Sequence, residues 1–218
     1  MIRKTGISAF GMASFLALAL PAMAHPHVFA DGHVVLDIDD ARELTAVRNE
    51  WTFDKPFSSF AVMGLDRNHD GKLEPSELKP LAETSMKSLA DYHFFTWVTR
   101  NGAEVELSAP RDYTYRFAGG RLTLRFSMPL KTPAPVGDDL KVEVFDPEYF
   151  VAYTFPEQGA ITLAGGASGC RATYIPPKPL DDQIMATLAA IPAEQHDLPP
   201  ALEDAAVGLA NIFTAKCS

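Results

Sequence analysis

The chain has 218 residues, a formal charge of −9 at pH 7 and 47% hydrophobic residues. An acidic chain repels nucleic acid and anionic membranes and attracts cations, so nucleic acid is excluded as a partner. The length supports one sizeable domain, or one with an appendage.

Residues 1–24 read as a secretory signal peptide. Arg3 and Lys4 supply the positive start, Phe10 to Leu20 the apolar middle, and Ala22-Met23-Ala24 a small-x-small cleavage site. The apolar run is too short for a membrane span of ~20 residues. No second run of that length follows, so the mature chain is expected to have no transmembrane segment and to reside in the periplasm or outside the cell. Cleavage would make His25 the new terminus and leave 194 residues, and losing Arg3 and Lys4 would take the charge from −9 to −11.

Strand signatures, with period-two alternation and β-branched or aromatic residues, then follow in order. They fall at 33–39, 44–53, 94–100, 103–108, 112–118, 121–128, 140–145, 149–155 and 170–175. Asn101-Gly102 and Gly119-Gly120 are hairpin turns. The pattern predicts a mainly β protein with helical additions, an antiparallel β-sandwich over 25–175. An inserted EF-hand-like helical segment is expected at about 56–92, where Phe57, Phe60, Ala61 and Leu65 share one helix face. Residues 130–139 read as a long loop and "YIPPKPL" (174–180) as a linker. From 176 to 218 a helical tail is expected, its second helix running through "PPALEDAAVGLANIFTAK". The two cysteines, Cys170 and Cys217, are expected to form a disulfide in an oxidising compartment and tie that tail back.

The strongest chemical motif is "DRNHDGKLEPSE" (66–77), which fits an EF-hand calcium loop. Asp66, Asn68 and Asp70 take positions 1, 3 and 5, and Gly71 permits the sharp turn. Lys72 offers its carbonyl, Glu74 ligates directly or through water, and Glu77 can give a bidentate carboxylate. Pro80 implies a kink or a late start in the exiting helix. Without a second loop to pair with, Ca²⁺ binding at about 10⁻⁴–10⁻³ M is expected, as in extracellular modules.

The histidines suggest a second site. The amine and ring of a terminal His25 can chelate one metal, and Pro26 lacks the amide hydrogen that a square-planar terminal site would use. His27 is the nearest further ligand, and His93 is the distant partner proposed to complete the set. His33 lies ~20 Å along the strand from His27, too far to share its metal. Asp54 and Asp146 are carboxylate candidates at strand ends; His69 and His196 are expected to face water.

Taken together, "AHPHVF", "EWTFDKPFS" (50–58), the single EF-like loop and "FDPEYFVAY" (145–153) resemble domain-of-unknown-function family 1007. The resemblance covers nearly all of the mature chain. It implies a periplasmic component of an uncharacterised ABC-type transport system, and transition-metal handling, because such proteins are often encoded beside, or fused to, nickel/cobalt permeases. It assigns His25 and His27 to a His-Pro-His motif, and Asp66, Asn68, Asp70 and Glu77 to the calcium loop.

Three classes of function follow. The preferred one is a metal-binding accessory protein that handles nickel, cobalt, zinc or copper for a membrane metal permease or ABC-type transporter. The second is a calcium-stabilised interaction domain without transition-metal function. The third is a copper enzyme with an amino-terminal histidine brace, for which no aromatic substrate platform is evident. G-x-S-x-G and H-E-x-x-H are both missing from the sequence, which favours a non-enzyme.

Overall fold

The computed structural model describes residues 26–191 and 198–218, so the expected signal peptide, His25 and His196 lie outside the described residues. Two sheets pack face to face. In the first, β5 (Arg111–Ala118), β6 (Arg121–Pro135), β2 (Glu43–Phe53) and β1 (Val28–Ile38) lie side by side in that order. Along the outer side of β1, β8 (Val151–Thr154) pairs with its first half and β9 (Ile161–Gly165) with its second, both parallel to it. The second sheet is antiparallel throughout and runs β10 (Cys170–Ile175), β11 (Asn211–Cys217), β7 (Leu140–Val144), β3 (Thr96–Arg100), β4 (Ala103–Glu104). The expected mainly β sandwich is therefore present, with a parallel edge added.

Alternation drives the packing. In β1, Val28, Ala30, Val34, Leu36 and Ile38 point inward and are buried. Val47 and Trp51 of β2 and Leu122, Leu124 and Phe126 of β6 meet Val98, Val142, Val144 and Phe213 of the second sheet in one core. Gly32 occupies an inward position because nothing larger fits. A Cβ there would lie 2.3 Å from the Phe155 ring, which is itself wedged against Phe213 at 4.8 Å between centroids. Gly32→Ala is therefore expected to cost about 1–3 kcal/mol by overpacking, measured by denaturant unfolding.

Several segments depart from expectation. Residues 211–217 form strand β11, between β10 and β7, instead of continuing a helix. The tail helices are α3 (Asp182–Ala189) and α4 (Pro200–Val207), which share a small apolar cluster around Leu188, Ile191, Leu198 and Leu202. The expected loop at 130–139 is mostly β6, which runs to Pro135. Its far edge is unpaired by β5 beyond Ser127, so prolines are tolerated there. β9 was not foreseen, and the expected strand at 103–108 is regular only at Ala103–Glu104, its remainder bonding to Val98 and to Pro129 and Lys131 of β6 around a bridge at Leu107.

The helical insertion comprises α1 (Lys55–Ala61) and α2 (Pro75–Leu89), followed by a 3₁₀ turn at Ala90–Phe95. Of the expected shared face, Phe57, Ala61 and Leu65 are partly buried against the core, with Phe57 on Phe53, whereas Phe60 is 70% exposed. α2 docks through Leu78, Ala82 and Met86, at i, i+4 and i+8, with Ser85 hydrogen-bonded to the Tyr115 hydroxyl at 3.0 Å. Burial pushes that hydroxyl's pKa up to about 12. The helix begins on time at Pro75 and continues through Pro80, so no late start occurs. Pro80 lies in the second turn, where it forgoes a single N–H bond to the Ser76 carbonyl.

Candidate cation site

The loop between α1 and α2 is built from its own side chains. α1 is capped by Asp54, whose carboxylate takes the Phe57 N–H at 2.8 Å and the Phe29 N–H at 2.7 Å. That double use anchors the insertion to β1. Beyond α1, the Asp66 carboxylate accepts the Asp70 N–H at 3.2 Å and the Gly71 N–H at 3.0 Å. Asn68 Oδ1 accepts the Asp70 N–H at 3.0 Å, and Asp70 Oδ1 accepts the Lys72 N–H at 2.8 Å. Gly71 stands at φ +77°, a conformation that favours glycine. His69 also has positive φ and is exposed.

Glu77 closes the loop from α2. Its Oε1 accepts the Arg67 N–H at 2.8 Å and its Oε2 the Glu74 N–H at 3.1 Å, with Glu74 at the N-cap of α2. The Glu74 N–H bond, then the Arg67 one, hold the Glu77 carboxyl below the usual carboxylate range, against burial and the nearby Asp66 charge. A depressed folded pKa gives stability that is full above the unfolded value and lost as pH falls through the folded one. In chelator, Glu77→Gln is expected to flatten the acid limb of a melting-temperature–pH profile, with the difference vanishing at low pH.

The donors offered by Asp66, Asn68, Asp70, Glu74, Glu77 and the Lys72 carbonyl are all oxygens, which suits a hard cation. Among the described residues, however, no group of three or more His, Cys, Asp or Glu stands at metal-holding spacing. The loop's carboxylates share amides without closing on one point.

The same holds for the histidines. The His27 N–H donates to the Phe150 carbonyl at 2.9 Å, and its ring packs on Phe150 at 4.8 Å. His93 sits in a run of three left-handed residues, His93, Phe94 and Phe95, with φ of 51°, 52° and 49°. Such a run costs about 1–2 kcal/mol per residue and survives only where packing imposes it. Phe94 and Phe95 are held against Phe126 and Trp51, and His93 stacks on Trp97 at 5.9 Å. His93 and Glu148 line a common cleft of about 320 Å³. His33 is engaged at both ring nitrogens, with the Gly159 carbonyl at 2.7 Å and Thr162 Oγ1 at 3.2 Å, and so ties β1 to β9. Asp146 is buried in the turn after β7, a placement the sequence did not reveal beyond its strand-end position.

Cys170 and Cys217 stand directly opposite on β10 and β11 and are disulfide-bonded. No helix among the described residues is long and apolar enough to cross a membrane.

Two packed sheets carrying a helix–loop–helix insertion and a cross-strand disulfide define a mainly β sandwich protein compatible with an extracytoplasmic setting. The chain belongs to the family described as proteins of unknown function (DUF1007), whose model matches residues 10–217. A Haemophilus influenzae relative, itself described as an uncharacterized protein, is 24% identical over 185 residues, spanning 84% of this chain and 87% of its own. An uncharacterized 15.5 kDa protein in the trpE 3′ region of Spirochaeta aurantia is 29% identical over 102 residues, 47% of this chain and 73% of its own.

Proposed function

We propose that the protein is a periplasmic or secreted accessory protein that binds divalent cations, with residues 66–77 holding Ca²⁺ and ordering the α1–α2 insertion. One observation carries the reading: Asp66 accepts the Asp70 and Gly71 amides across a turn that Gly71 alone makes easy, while Glu77 closes the far end. Calcium would draw Asp66, Asp70 and Glu77 onto one point, each oxygen keeping a lone pair beyond its amide bond. Binding to the native state alone adds RT ln(1 + [L]/Kd), so a site of ~10⁻⁴ M at ~1 mM calcium adds about 1.4 kcal/mol. The test is thermal unfolding with calcium or chelator. The calcium-dependent rise is expected to vanish in the double variant Asp66→Ala, Glu77→Gln, and its persistence there would reject the loop.

A transition-metal role rests on a different observation. His27 and His93 flank the two sides of the turn at 146–150, His27 on Phe150 and His93 beside Glu148. In this reading the terminal amine and ring of His25, with His27 and His93, take nickel, cobalt, zinc or copper for a membrane permease or ABC-type transporter. Titration at saturating calcium separates it from the calcium-only reading: one residue added before His25, or His27→Ala, should weaken binding. Equal affinities would leave the calcium-stabilised domain.

A further inference from the structure

The turn after β7 holds a carboxylate that backbone amides bind but that no cationic side chain among the described residues pairs with. Glu148 N–H donates to Asp146 Oδ1 at 2.9 Å and Val151 N–H to Oδ2 at 2.8 Å, while Tyr149 N–H closes on the Asp146 carbonyl at 3.0 Å. These bonds aim the carboxylate but bring no positive charge. Asp146 is 4% exposed and enters no ion pair among the described residues. A buried carboxylate without a counter-charge is costly. Burial pushes its pKa above the usual range even against its amide donors.

Asp146 lines a cavity of about 280 Å³ between β8 and the start of β11. No Lys, Arg or His lies on that wall among the described residues. Asn211, also buried, is committed elsewhere: its Nδ2 reaches the Val144 carbonyl at 3.3 Å, and its Oδ1 takes the Tyr174 hydroxyl at 2.8 Å. Phe29, Phe145, Tyr149 and Tyr153 supply aromatic wall. Phe29 is 53% exposed despite its size. Tyr149 is held at φ 53°, a left-handed conformation that is an outlier for a bulky side chain. Strain of this kind collects at ligand clamps.

We propose that this cavity binds a small organic ammonium ion, its charge met by the Asp146 carboxylate and its hydrocarbon by Phe29 and Tyr149. A metal ion is the poorer occupant, because one carboxylate, with Thr154 and an Asn211 already committed to Val144 and Tyr174, cannot replace its hydration shell. An alkylammonium is weakly hydrated, donates N–H bonds to a carboxylate and is attracted to aromatic faces.

The experiment is isothermal titration of the full mature chain at saturating calcium, so that loop 66–77 does not contribute. The probes are n-butylammonium and its neutral counterpart 1-butanol. Butylammonium is expected to bind with Kd of about 1 mM or tighter, and butanol at least about tenfold more weakly. Phe29→Lys places a tethered ammonium at the cavity on an exposed position and is expected to weaken butylammonium at least about tenfold. Phe29→Leu should change it by less than about threefold. Asp146→Asn is expected to lose binding as well; should that variant fail to fold, the Phe29 pair decides alone. Equal affinity for amine and alcohol, an unaffected Phe29→Lys variant, or no amine binding at all would overturn the assignment.

Discussion

Trp51→Ala is expected to lower the unfolding free energy by about 3–5 kcal/mol, the cost of emptying a large aromatic site in a close-packed core. Trp51 is 1% exposed and sits where both sheets meet, its ring 4.8 Å from Phe126, 4.9 Å from Tyr153 and 6.3 Å from Phe95. Those neighbours belong to β6, β8 and the 3₁₀ turn, so a void would loosen three elements together. The left-handed run at His93–Phe95 depends on the same packing, because Phe94 and Phe95 hold their conformation against this cluster. Trp51 Nε1 is buried and donates to no acceptor among the described residues. An unmet donor costs about 1–3 kcal/mol and both variants remove it, but Trp51→Phe keeps most of the ring in the core and should be markedly milder than Trp51→Ala. Denaturant unfolding of the two variants measures the contrast. Equal losses would mean that filling this site with a ring contributes little.

Loss of the Cys170–Cys217 bond is expected to remove about 4 kcal/mol, the chain-entropy value for a loop of this length. The bond joins residues 47 apart in sequence and encloses α3, α4 and the return to β11. Its role is to keep β11 at hand. That strand lies between β10 and β7 and brings Phe213 and Ala215 into the core. For a chain of this size each kcal/mol moves the melting temperature by about 2–4 °C, so reduction should lower it by roughly 8–16 °C. Cys170→Ser with Cys217→Ser, compared with the reduced native chain, gives the check. A change of only a degree or two would show that the ladder and the core hold the tail without the bond.

Features written in short stretches were legible. Asn101-Gly102 turns β3 into β4 with both residues at positive φ, a geometry that dipeptide favours on its own. The strands at 44–53, 121–128 and 140–145 announce themselves by alternation because one face of each is buried and the other more exposed, and those at 112–118 and 170–175 by their β-branched and aromatic residues. The spacing of Asp66, Asn68, Asp70, Gly71 and Glu77 likewise specified a loop whose amides and side chains do meet. The surroundings of the histidines were not legible, since His27 packs on Phe150 and His93 lines a cleft with Glu148 through the pairing of β1 with β8 and of β3 with β7.

What the sequence by itself determined, then, is the material of a sandwich: alternating strands, tight turns, two cysteines, and a carboxylate-rich loop between helices. Tertiary structure decided where those pieces pair. "NIFTAKC" is short and apolar enough to read as the end of a helix, and it becomes a strand because β10 and β7 offer it ladders on both sides. Gly32 looks like a break in β1, but a chain-distant ring, Phe155, excludes any side chain there. Asp146 reads only as a carboxylate at a strand end and is buried beside β8 and β11. In each case the deciding energy comes from surfaces contributed by residues far away in the chain, and no local pattern encodes which of them will arrive.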